Sequence, residues 1–135
     1  MPPSDVNFGF AEEKAGQNLA VLAEALYLIN LLLLPGLAFA GLLALWLKNM
    51  DSAPPLARQH LRQTTFVSLV GGFLIVTLSG LIVALGGLDW AWTWVVLVLY
   101  FTCIHSTLVL FGMYGLIKAM SGQVWRFPLI GPPLE

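Results

Sequence analysis

"LINLLLLPGLAFAGLLALWL" (residues 28–47) carries a Pro-Gly pair, Pro35-Gly36, in the middle of an apolar run. The fold turns on what that pair does to a helix. The run starts at Leu19 and ends at Leu47. It is longer than the roughly 20 residues that cross the hydrocarbon of a bilayer. Proline removes one backbone hydrogen bond, which a membrane helix tolerates as a kink. The stretch is therefore read as one kinked span over 19–47.

Composition points to lipid as the solvent. The chain has 135 residues, 59% of them hydrophobic and 10% charged, and a mean hydropathy of +0.86. Soluble domains are about 45–50% apolar and about 25% charged, so a core of this size would leave much apolar surface in water. The net charge of −1 excludes nucleic acid, which needs a clustered basic footprint. Two histidines and one cysteine, Cys103, make no metal-ligand spacing. No metal, cofactor or catalytic set is expected, and Cys103 reads as a small buried hydrophobe. Asp5, Glu12 and Glu13 near the N-terminus give the wrong charge for a secretory leader.

Working outward, residues 1–16 form a polar tail. After Lys48 comes a polar loop in which Pro54-Pro55 stops any helix, and "LARQHLRQ" leads into a second span over 64–86. Gly86-Gly87-Leu88-Asp89 is a tight turn. Trp90, Trp92 and Trp94 form an interfacial belt at the start of a third span, 91–120. Ser121-Gly122 ends that helix, Trp125, Arg126 and Phe127 lie back on the membrane interface, and 131–135 is a tail. The expected fold is all-α: an integral-membrane three-helix bundle over 17–130. Lys48, Arg58, Arg62, Lys118 and Arg126 fall on one side and Lys14 on the other. The positive-inside rule then sets the N-terminus outside and the C-terminus in the cytoplasm of a bacterial inner membrane.

Within the spans stand Glu24, Asn30 and His105. Intramembrane polar groups are costly and mark candidate sites. If the first and third spans run in parallel, Asn30 and His105 share a depth of about 20 Å and pair with each other. A proton relay around Glu24 and His105 is the functional alternative. His60, beside Arg58 and Arg62, is read as part of a basic interfacial helix facing anionic lipid or a partner. It lies too far from His105 in depth for the two to share a haem, although His105 with a ligand from another subunit stays open. Small residues recur at four-residue spacing. They are Gly36, Ala40 and Ala44 in the first span, Ser68, Gly72 and Gly80 in the second, and Cys103, Thr107 and Gly115 in the third. Such faces let membrane helices approach closely, and at least one is expected to dock a partner.

Four stretches carry a family resemblance: "NLAVLAEALYLI", "WLKN", "ARQHLRQTTF" and the terminal "IKAMSGQVWRFPL". The chain resembles the small bacterial membrane proteins of unknown function in the superfamily of the chloroplast Tic import-channel component. Lys118, Ala119, Gly122, Trp125, Arg126, Phe127 and Pro128 fit that family's terminal pattern, and Arg58, Gln59 and Phe66 fit its loop pattern more loosely. Glu24 stands where the family often has histidine, His60 follows Gln59 instead of preceding the Ala-Arg pair, and Thr64-Thr65 replaces an apolar-Asn step. The resemblance implies a three-span membrane fold and assigns no reaction. The leading functional expectation is a non-catalytic accessory or scaffold subunit, with lipid and other integral membrane proteins as partners. An oligomeric translocation component, or a redox subunit that contacts haem or quinone, are the alternatives.

Overall fold

A computed structural model describes residues 15–134. Four helices are present among them: α1 (Gln17–Leu32), α2 (Leu37–Asn49), α3 (Pro55–Gly86) and α4 (Ala91–Met120). The described residues contain no strand. Only α3 and α4 are long and apolar enough to cross a membrane. The expected span over 19–47 is instead two shorter apolar helices that form a hairpin.

The direction of each helix follows from its contacts. At the start of α1, Gln17 donates its side-chain N–H to the carbonyl of Met120, the last residue of α4, at 2.7 Å. Gly16 lies against Pro54 and Ala57, at the start of α3. Further along α1, Tyr27 donates its hydroxyl to the Leu108 carbonyl at 3.0 Å, and the Leu31 carbonyl accepts from His105 Nε2 at 2.9 Å. As α1 advances, its partners on α4 retreat from 120 to 105. The two helices are antiparallel, contrary to the parallel arrangement expected above. The start of α1, the start of α3 and the end of α4 therefore share one end of the bundle. The orientation expected above had set the start of the first span and the end of the last on opposite sides.

The reversal has a local cause. Gly36 sits at φ +83, a left-handed backbone conformation that side chains resist. Asn30 Oδ1 accepts from the Gly36 N–H at 2.8 Å, and the Ile29 carbonyl takes the N–H groups of both Leu33 and Leu34 at 2.9 Å. Pro35 has no N–H to satisfy. Non-helical backbone in an apolar setting must find its partners within the protein, and this turn finds them in the Ile29 carbonyl and the Asn30 side chain. Asn30 and His105 do not pair with each other. Each serves a backbone group that the broken helix leaves open. Asn30→Ala should remove this cap, lower stability by about 1 kcal/mol and speed amide hydrogen exchange over residues 36–40. Unchanged protection there would count against the assignment.

From the turn, α2 returns along α1 and α3 and does not reach α4. Leu42 is fully buried, in the same cluster as Tyr27, Ala57 and Leu61. Pro55 opens α3 at its first turn, where a missing N–H costs nothing. Trp90, Trp92 and Trp94 are exposed at the far end of the bundle. A Schellman closure ends α4: Gly122 sits at φ +67, its N–H bonds the Ala119 carbonyl, and Gln123 N–H bonds the Lys118 carbonyl at 2.8 Å.

A buried polar junction as the candidate functional site

Where α1, α3 and the segment after α4 meet, a polar cluster is sealed from solvent. Glu24 is 2% exposed and His60 0%, and His60 Nδ1 lies 2.6 Å from Glu24 Oε1. On its other side, His60 Nε2 lies 2.9 Å from the Gln123 carbonyl. A carbonyl only accepts, so Nε2 carries a hydrogen. Two forms remain for the other contact. Either an imidazolium faces a carboxylate, or a carboxylic acid donates to a neutral ring. The pair is net neutral in both, as burial in a low dielectric requires.

Neighbouring groups complete the junction. Beyond Gly122 the chain is extended, and α3 reads its backbone at every second residue. His60 donates to the carbonyl of Gln123, Gln59 Nε2 to that of Trp125, and Gln63 Oε1 accepts from the N–H of Phe127 at 2.7 Å. Thr64 returns its hydroxyl to the His60 carbonyl at 2.8 Å. Trp125 and Phe127 are buried, and Phe111 packs against both rings. Two glycines of α4 make room for α1: Gly115 faces the Glu24 carboxylate and Gly112 faces the Tyr27 ring. What this arrangement does chemically is fasten three elements together. Both ring nitrogens of His60 are engaged, so no metal or haem bond is open to it.

Several sequence readings change here. His60 does not face lipid, and Trp125 is no interfacial anchor. Each sits in the core because the C-terminal segment folds back over α3, which hydropathy does not reveal. Glu24 pairs with His60 and lies far from His105. Cys103 is exposed, not buried. Of the small residues, Gly36, Ala40, Ala44, Gly72 and Gly80 are exposed, and Ser68 is half-buried with its hydroxyl unpartnered. The internal helix contacts use Gly71, Gly112 and Gly115 instead.

The basic residues stay peripheral. Arg58 donates to the Ala53 carbonyl, Arg62 to that of Pro133 and Arg126 to that of Gly131. Lys118 reaches Gln123 Oε1 and lies over the Tyr114 ring. Gln63 and Gly112 escaped the sequence reading, and Gln59 entered it only through the loop pattern. A signal existed: His60, Thr64, Val67 and Gly71 follow one helical face, and Gln63 borders it.

The whole of this architecture, hairpin and junction included, falls within one family match. A model of the magnetosome magnetite crystal formation protein family, MamF/MmsF, covers residues 15–134. The chain belongs to this family. No curated protein and no solved structure matches it. A small bacterial membrane-protein family was expected from the terminal pattern, and MamF/MmsF is such a family.

Proposed function

We propose that this MamF/MmsF protein is a non-catalytic, multi-pass accessory subunit of a bacterial inner-membrane complex, serving magnetite crystal formation by holding other integral proteins. The observation that carries this reading is the division of labour among small residues. Gly71, Gly112 and Gly115 meet side chains inside the chain, whereas a Cβ on Gly41 or Gly80 meets nothing within 4 Å. Ala40 and Ala44 beside them are exposed. In lipid, such open small-residue faces favour close helix docking.

Charge supports an orientation. Lys48, Arg58, Arg62, Lys118 and Arg126 all belong to the end where α1 and α3 begin and α4 finishes, while the opposite turn carries Asp89. The positive-inside rule puts that basic end, with the start of α1, in the cytoplasm. Among the described residues, no three His, Cys, Asp or Glu side chains group as a metal site.

Mild-detergent extraction from native membranes tests the proposal. The tagged chain should co-elute with one or a few integral proteins in fixed ratio. Ala40→Leu combined with Ala44→Leu should abolish that co-elution while the chain stays inserted. A pure homo-oligomer would overturn the reading in favour of a translocating assembly, and a solitary chain would overturn both.

A further inference from the structure

Below the hairpin turn lies a cavity of about 490 Å³ between α1, α2, α3 and α4. That volume falls within the range of small-molecule sites. Its walls are mostly apolar and include the rings of Phe39, Phe73 and Phe101. Two polar residues interrupt them. Asn30 uses Oδ1 on the Gly36 N–H, and its amide N–H₂ has no partner among the described residues. His105 gives Nε2–H to the Leu31 carbonyl, which leaves Nδ1 of the neutral ring as an open acceptor. Neither free atom is among the buried ones that lack a partner, so both are accessible. Phe101 stacks on the His105 ring at 5.3 Å.

We propose that this cavity binds a prenyl quinone in its reduced, hydroquinone form, with the planar head at Asn30 and His105 and the tail leaving sideways into lipid. The depth selects against other membrane molecules. Gly72 lies eight residues beyond Thr64, about 12 Å along α3, which places the cavity within the hydrocarbon. A charged phospholipid head cannot settle there without a large desolvation cost. A bare alkyl chain would cover the Asn30 donor and the His105 acceptor without matching either, at a cost for each. A hydroquinone hydroxyl satisfies both, accepting from the Asn30 amide and donating to His105 Nδ1. The oxidised quinone carbonyl can only accept, so it loses the second bond. Phe101 and Phe73 offer faces to a flat ring.

Decylubiquinol is a suitable probe, used with the purified full chain in lipid nanodiscs under anaerobic conditions. It should raise the melting temperature saturably, and decylubiquinone should need about tenfold more for the same shift, as loss of one hydrogen bond implies. In Gly72→Phe the new ring fills the cavity from a position where nothing crowds it. That variant should melt as the parent does without ligand and lose the ligand-induced shift. The proposal fails if decylubiquinol gives no saturable shift, if 1-dodecanol matches it, or if Gly72→Phe responds like the parent. It also fails if oxidised and reduced probes bind alike.

Discussion

His60→Leu should be the most damaging single change at the junction, costing about 3–5 kcal/mol. The substitution removes the ring that stands 2.6 Å from the Glu24 carboxyl group, which is 2% exposed. It also orphans the Gln123 carbonyl, which His60 Nε2 now serves. The segment from Gln123 to Phe127 would then hang on Gln59 and Gln63 alone. Trypsin should cut after Arg126 far faster in the variant, and the melting temperature in detergent should fall by tens of degrees or the fold should be lost. The double variant Glu24→Leu with His60→Leu should recover most of the loss, because an apolar pair of similar volume replaces a buried polar one at little cost. A double-mutant cycle reads the coupling directly. A His60→Leu protein within about 1 kcal/mol of the parent, against the full penalty expected, would show that the pair does not hold the junction.

Gly112→Val should be nearly as severe, for a steric reason. A Cβ at this position would stand 2.8 Å from Leu28 Cδ2 and 2.9 Å from Tyr27 Cδ1. Tyr27 has little room to retreat. It is 2% exposed, and its hydroxyl is tied to the Leu108 carbonyl one turn away on α4. Relief requires α1 to move off α4, which also stretches the Glu24–His60 contact. Overpacking of this kind costs about 1–3 kcal/mol, and more where a rigid ring must shift. Gly72→Val is the matched control, since a Cβ there meets nothing within 4 Å. Thermal unfolding in detergent should separate the two clearly. Equal stability of both variants would mean that α1 and α4 do not pack through Gly112.

The two long helices were legible because hydropathy and length alone define them. Their last turns were legible too, from Gly86-Gly87 and Ser121-Gly122, whereas α3 begins at Pro55, well before the start expected at residue 64. The hairpin was not. Residues 19–47 satisfy the length rule for one span, and Pro-Gly is compatible with both a kink and a reversal. What decides between them is long-range: Gln17 beside Met120 and Leu31 beside His105. Glu24, Asn30 and His105 stood out as polar groups in apolar runs, but their partners depended on the direction of α1. With that direction reversed, Asn30 and His105 became supports for the turn, and Glu24 met a histidine that had been assigned to the surface. His60 was misjudged because neighbouring arginines make its stretch look interfacial, and local sequence carries no sign of the segment that covers it.

The hairpin also gives the molecule a shape. Because α1 and α2 enter and leave by the same end, the basic half of the bundle contains four helices and the far half contains only α3 and α4. Set in a bilayer, this is a wedge, broad in one leaflet and narrow in the other. Such a body fits with least strain where the leaflet that holds its broad end is convex. Many copies side by side would favour membrane that curves away from the basic face.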